Sequence, residues 1–261
     1  IVTSDNDDGC FLCRYRDADP TDDSRQLVIA RGEHTMTMLN RFPYNNGHLL
    51  VAPREHVGDL VDLDPVVTDL FRDHSMLRSL NSGSLSDKRV HVHNVDATRF
   101  LEETGEMYDV ILMDLPDPSD ASLGKLYSRP FYRLAGRRLA EGGIIATQAT
   151  SPYRSREAFW CIYHTLAESE CDPGTARLFK PLSYQTVVPT FGTWGFVLAS
   201  REEIDPSTIR VTVPTKYLND EVIVSLFVIP PDMGEVDTPI TELNDPAVSR
   251  LYRTGYHRYF D

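Results

Sequence analysis

The sequence has little cysteine, no long apolar run and no surplus of positive charge. Its four cysteines are too few for a disulfide-stapled scaffold. Two of them, Cys161 and Cys171, stand apart and read as reduced thiols; Cys10 and Cys13 form a C-x-x-C pair. No apolar stretch approaches the roughly 20 residues that a membrane-spanning helix needs. Ile1 to Asp8 is polar and acidic, unlike a secretory leader, so the expectation is a cytoplasmic protein with no membrane partner. Lys and Arg total 26 against 39 Asp and Glu, a formal net charge of −13. A field of that sign repels nucleic acid and favours cationic ligands, although solubility alone also accounts for it. Repeats and low-complexity tracts are absent too, which excludes solenoids and collagen-like rods.

What is present is the composition of a folded globular chain: 41% hydrophobic and 25% charged over 261 residues. That is enough for one large domain or two small ones. After a polar start, short β-rich runs at Gln26–Ala30, Thr35–Leu39 and His48–Ala52 are separated by turn signals, Arg31-Gly32 and then Pro43 to Gly47. They predict an antiparallel meander.

The style changes near residue 60. Apolar spacing predicts a helix over Val66–Leu80, and the alternation of Arg89–Val95 predicts a strand. A short helix follows at Ala97–Glu103, then a buried strand at Tyr108–Met113. Arg129–Ala140 reads as a helix stopped by Gly142-Gly143, as helices often are. A buried strand at Gly143–Thr147, a helix at Arg156–Ser169 and strands at Ser183–Pro189 and Trp194–Ala199 come next. Helices near Asp220–Val228 and Pro246–His257 complete the chain. Strands alternating with helices imply βαβ units and a parallel sheet. Ligands bind such sheets outside the carboxyl ends of the strands.

Polar residues stand at those ends. Asp62 follows Val61, Asp96 follows Val95, and Asp114 follows Met113 with Asp117 in the same loop; Gln148 follows Thr147. In a doubly wound sheet these would converge on one cleft. One carboxylate would accept from ribose hydroxyls, a second from an adenine amino group. Two more in one loop could hold an ammonium or deprotonate it. Each of these aspartates could equally be a helix cap or a turn residue.

The run Tyr108-Asp109-Val110-Ile111-Leu112-Met113-Asp114-Leu115-Pro116-Asp117-Pro118 resembles the D-x-x-D-P signature of the spermidine synthases, the polyamine aminopropyltransferases. Ser122 to Ser128, Phe131-Tyr132, Val188 to Phe196, Tyr217-Leu218-Asn219 and Leu226 to Met233 extend the likeness to its bacterial branch, over about residues 62–261. The resemblance implies a Rossmann-like, class I methyltransferase-like α/β fold. It also implies aminopropyl transfer from decarboxylated S-adenosylmethionine, as co-substrate, to putrescine, giving spermidine and methylthioadenosine. By motif position Asp114 would be the base, Asp117 would bind the cationic amine, Asp62 the ribose, Asp96 and Ala97 the adenine, and Gln148 would line the cleft. No metal is expected.

The family's first strand and glycine-rich loop should precede Asp62, and no G-x-G-like loop stands there. A parallel sheet lacking that strand is the expectation, with an impaired nucleoside pocket and an exposed apolar edge that favours a homodimer. Cys10-Phe11-Leu12-Cys13 and Leu39 to His56 instead resemble the first half of a histidine-triad (HIT) domain, so residues 1–60 read as a partial HIT-like segment and residues 61–261 as the synthase-like domain. Val90-His91-Val92-His93-Asn94-Val95 has two of that family's three histidines, with Val95 in the third place, and reads as a strand. Cys10, Cys13 and His56 match three of the four ligands of a HIT-type zinc site, whereas structural zinc wants four. The competing functions are HIT-type nucleotide binding or hydrolysis, and an inactive remnant acting as a binding module.

Overall fold

The computed structural model describes residues 18–23, 28–31, 35–39, 49–53, 65–80, 83–86, 90–172, 177–189, 191–212, 215 and 217–260. The chain divides into two compact units, Ile1–Leu60 and Val61–Asp261. The first unit carries a three-stranded antiparallel meander, β1 (Val28–Arg31), β2 (Thr35–Leu39) and β3 (Leu49–Pro53). Thr35 pairs with Pro53 and Leu39 with Leu49. The meander is the arrangement that the alternating runs and their turn signals predict. Cys10, Cys13, His56 and Asp62 lie outside the described residues.

The second unit opens with α1 (Pro65–Asp73) and α2 (Ser75–Leu80), one predicted helix broken at His74. Next come α3 (Ala97–Glu103), β4 (Tyr108–Met113), α4 (Ala121–Gly124), a 3-10 turn over Lys125–Tyr127, and α5 (Arg129–Arg137). The remainder is β5 (Leu139–Gln148), α6 (Arg156–Ala167), β6 (Lys180–Val188), β7 (Gly192–Ser200), α7 (Asp220–Ser225) and α8 (Ala247–Phe260). The sheet runs β4-β5-β7-β6. β4 and β5 are parallel, as a strand–helix–strand crossover requires; β7 lies antiparallel to both β5 and β6. This is a mixed α/β sheet of Rossmann-like kind with a β-hairpin added at one side.

Two expectations are corrected. Residues 90–95 form no strand. Period-two alternation specifies a strand only where a partner takes up its hydrogen bonds and one face is buried. Here Val90 and Val95 stay exposed. Instead the Asn94 amide donates to Thr68 Oγ1 at 3.1 Å and the His93 ring lies 5.0 Å from Phe100. Second, α5 stops at Arg137, and the Gly142-Gly143 pair lies inside β5. The parallel ladder slips between Tyr108 and Val110, which pair with Leu139 and Ile144. The extra residues form a bulge in which Gly142 has φ of +72°, a conformation open to glycine. A Cβ on Gly143 would lie 2.9 Å from Ala140 O.

The core lies between the sheet and helices α5, α6 and α8. Tyr127, Tyr132, Leu139, Ile145, Phe159, Ile162, Val197 and Val248 are fully buried in it. Cys161 and Cys171 are free and buried, and burial pushes the Cys161 thiol up to about 11. The segment after α7 is strapped along α6 by side chains. Trp160 Nε1 donates to Met233 O at 2.9 Å, Arg156 Nε to Gly234 O at 2.6 Å, and Thr241 N to Thr165 Oγ1 at 3.0 Å. These bonds fix the route by which the chain reaches α8. At the other edge of the sheet, Val110 and Leu112 of β4 are exposed. No helix among the described residues is long and apolar enough to cross a membrane.

Candidate active site at the ends of β4 and β5

Parallel neighbours β4 and β5 end side by side, so the residues that follow them share one opening. A cleft of about 600 Å³ lies there. Asp114, Leu115 and Asp117 line it from the loop after β4, and Thr147 and Gln148 from the end of β5. Its aromatic wall is Tyr184 of β6, Phe191 of the hairpin turn, and Trp194 and Phe196 of β7. Tyr184 stacks on Phe196 at 5.1 Å and Phe191 leans on Trp194 at 5.2 Å. Such a wall suits an alkyl chain or a cation lying over ring faces.

The loop Leu115–Asp117 is held on several sides. Tyr127, fully buried, donates its hydroxyl to Pro116 O at 2.9 Å. Gln148 Nε2 donates to Leu115 O at 2.9 Å and to the Tyr127 hydroxyl. Gln148 Oε1 accepts from Thr150 N at 2.8 Å and from Trp194 Nε1 at 3.2 Å. All four bonds therefore agree on one orientation of the carboxamide. Gln148 is thus engaged by the protein itself and joins three walls of the cleft. Thr150, beside it, has φ of +60°. For a β-branched residue that conformation is strained and persists only where its surroundings impose it.

The two carboxylates differ. Asp114 is exposed, and no described hydrogen bond uses its side chain. Asp117 is half-buried, and its Oδ2 accepts from the Tyr252 hydroxyl of α8 at 2.8 Å. Its Oδ1 is buried without a hydrogen-bond partner, a costly state for a carboxylate oxygen. Burial pushes the Asp117 carboxyl above its usual range, with Tyr252 and the nearby Gln148 side chain pulling the other way. A carboxyl whose folded pKa is raised binds its proton more tightly folded than unfolded. The wild type accordingly loses stability as pH rises through that raised value. We expect Asp117→Asn to melt a few degrees above the wild type at pH 7.5, with the gap closing as the pH falls towards the ordinary carboxylate value of 3.8. Scanning calorimetry across that range checks it; a wild type that is the more stable at pH 7.5 would contradict it.

Of the residues singled out from sequence, Asp114, Asp117 and Gln148 come together in this cleft. Asp96 and Ala97 do not line it. Asp96 caps α3, its Oδ1 accepting from Arg99 N at 2.8 Å, and no described strand precedes it. Asp62 lies outside the described residues. The tyrosines that hold the site were not singled out for it. Tyr127 stands in the Ser122–Ser128 run, so a motif flagged it without giving it a role. Tyr252 lies 135 residues from Asp117, and nothing local marks it.

Residues 53–208 match the family model described as the spermine/spermidine synthase domain. Polyamine aminopropyltransferase 2 of Ralstonia nicotianae is 40% identical over 206 residues, covering 78% of this chain and 38% of that protein. The polyamine aminopropyltransferase of Oceanobacillus iheyensis is 40% identical over 204 residues, covering 77% of this chain and 38% of that protein. The chain thus spans less than two-fifths of the length of these curated relatives. The crystal structure of spermidine synthase from Thermotoga maritima superposes with a TM-score of 0.52 at 21% identity, over 65% of this chain and 56% of that one, a likeness of fold. None of these comparisons supports a HIT domain in residues 1–60. The family model covers more than half of the residues, the cleft included, and the chain belongs to the spermine/spermidine synthase family.

Proposed function

We propose that the chain catalyses aminopropyl transfer from decarboxylated S-adenosylmethionine to a diamine, putrescine in the first instance, in polyamine biosynthesis. The observation that carries this is the loop after β4. It presents an exposed carboxylate, Asp114, beside a half-buried one, Asp117, whose Oδ1 has no partner. The first can take a proton from the attacking nitrogen. The second supplies a negative acceptor for an ammonium, with an aromatic wall along which the carbon chain can lie.

The chemistry asks little else. The amine lone pair forms a bond to the propyl carbon attached to the sulfonium, the C–S bond breaks, and its electrons return to sulfur as the neutral thioether of methylthioadenosine. The nitrogen's proton goes to Asp114. A sulfonium leaves without acid assistance, so catalysis reduces to orientation and to one proton transfer. The tethered Leu115–Asp117 loop supports that orientation. On the nucleoside side, Asp62 is assigned to the ribose and Asp96 with Ala97 to the adenine, through whatever capacity Asp96 retains beyond its cap. Dimerisation through the open β4 edge belongs to the same proposal, supported by exposed Val110 and Leu112.

Calorimetric titration tests the nucleoside half. Methylthioadenosine should bind and raise the melting temperature, by about 2.7 kcal/mol of stabilisation at a hundredfold excess over Kd, and Asp96→Ala should weaken it. AMP should bind far less well. Binding of AMP alone would move the function to the HIT-like reading of residues 1–60. Binding of neither to a folded sample would leave an inactive remnant.

A further inference from the structure

We propose that Tyr252, on α8, is a positioning residue for the amine site: its hydroxyl holds Asp117 Oδ2 and so fixes the orientation of a carboxylate that lines the cleft. This rests on the reading of Asp117 as the ammonium acceptor.

Three observations carry it. The first is the bond itself. The Tyr252 hydroxyl donates to Asp117 Oδ2 at 2.8 Å, and Asp117 Oδ1 has no hydrogen-bond partner. A carboxylate with one oxygen tied by a hydrogen bond has a set direction, and a hydrogen bond to its ionised form favours that form. The second is how firmly α8 is seated on either side of Tyr252. One turn before it, Ser249 Oγ donates to Asp120 O at 2.6 Å, in the loop that carries Asp117. A Cβ on Gly124 would come within 2.3 Å of Ser249 Oγ. After Tyr252, Gly255 faces Ser155 so closely that a Cβ would lie 2.7 Å from Ser155 Oγ and 2.8 Å from Ser155 Cα. Ser155 Oγ also donates to Tyr252 O at 3.4 Å. Positions 249, 252 and 256 share a helix face, and Tyr252 packs on Tyr256 at 4.7 Å. The phenol therefore has little freedom to leave Asp117.

The third is the electrostatic setting. Tyr252 from α8 and Tyr127 from the 3-10 turn act directly on Asp117, while Asp114 acts on Tyr127, and Tyr256 on Tyr252. None of these groups is a cation. Burial works against an ionised Asp117, and Tyr252 is the largest opposing influence. The C-terminal helix is thereby made part of the site, although none of its residues lines the cleft.

The test follows the Asp117 carboxyl carbon by NMR across pH in ¹³C-aspartate-labelled protein. Its resonance is the one missing from Asp117→Asn. Putrescine titrations at pH 6 and pH 8.5 run alongside. Tyr252→Phe should move the Asp117 titration to higher pH and weaken putrescine about tenfold at pH 6, the worth of one hydrogen bond to a charged group, with a smaller loss at pH 8.5. Tyr252→3-fluorotyrosine, a better donor of nearly the same shape, should move the titration the other way, and it answers the case where Tyr252→Phe does not fold. Ser155→Ala, which removes one long hydrogen bond to α8 and leaves the Ser249 anchor and the phenol in place, should lower the melting temperature and leave the Asp117 titration where it is. An Asp117 titration unmoved by both Tyr252 variants overturns the proposal, whatever the melting temperatures. If the wild type binds no putrescine, the amine reading fails by itself. The NMR titration then still decides whether Tyr252 governs Asp117.

Discussion

Asp114→Asn should fold like the wild type and transfer aminopropyl groups about 10²- to 10⁴-fold more slowly, the usual worth of a positioned general base. Folding is spared because Asp114 is exposed and no described hydrogen bond uses its side chain. Stability should hold within about 0.5 kcal/mol, as for surface substitutions away from any network. The rate falls because asparagine has the shape of aspartate without a site for the proton that the attacking nitrogen must lose. The loss should lie in kcat, with KM for the diamine little changed, since the ammonium is assigned to Asp117. Asp117→Asn should show the opposite split, a raised KM with the smaller change in kcat. The measurement is steady-state transfer with decarboxylated S-adenosylmethionine and putrescine, following methylthioadenosine release. If Asp114→Asn keeps the wild-type kcat, the base is another group. A wild type that releases no methylthioadenosine would remove the proposed activity from this chain altogether.

The parts of this site that could be read from sequence are those written locally. β4 shows itself as four consecutive apolar residues, Val110 to Met113, between polar ends, and Asp114 and Asp117 follow within four positions. The short helix α3 and strand β2 have the bounds that their apolar spacing predicts. Where the structure departs from the local pattern, other groups have taken up the residues concerned. Residues 90–95 alternate like a strand, yet Asn94 and His93 are taken up by Thr68 and Phe100 and no ladder forms. Asp96, expected at a strand end with a helix cap as the alternative reading, is a helix cap. Gln148 was expected to line the cleft and does, but its four hydrogen bonds go to residues from 2 to 46 positions away. That makes it a brace, and no spacing rule announces one. The Tyr252–Asp117 bond is the extreme case, because a tyrosine on an amphipathic helix looks like any other core aromatic.

The boundary between α5 and β5 belongs to the same class, and the residue that sets it carries the largest expected effect on stability. Arg201, just beyond β7, is 7% exposed. Its Nη2 donates to Leu139 O at 2.8 Å and Gly136 O at 3.3 Å, its Nη1 to Ala140 O at 2.6 Å, and its Nε to Asp172 Oδ1 at 2.7 Å. It therefore receives the carbonyls where α5 ends and the chain turns into β5, some 60 residues away in sequence. Gly142-Gly143 then makes a bulge and not a helix stop. Arg201→Met should cost about 3–5 kcal/mol, because it removes the buried partner of a half-buried ion pair and takes the guanidinium donors from three buried or half-buried carbonyls. Arg201→Lys should recover only part, since an ammonium cannot span four acceptors in the planar fan that a guanidinium offers. Asp172 keeps a second cation, Arg177, at 3.5 Å, so Asp172→Asn should cost clearly less than Arg201→Met. Urea denaturation of the three variants decides the matter. Equal losses for Arg201→Met and Asp172→Asn would mean that the ion pair alone matters. A larger loss for Arg201→Met would mean that the carbonyl cap does most of the work, with β5, and the cleft at its far end, depending on it.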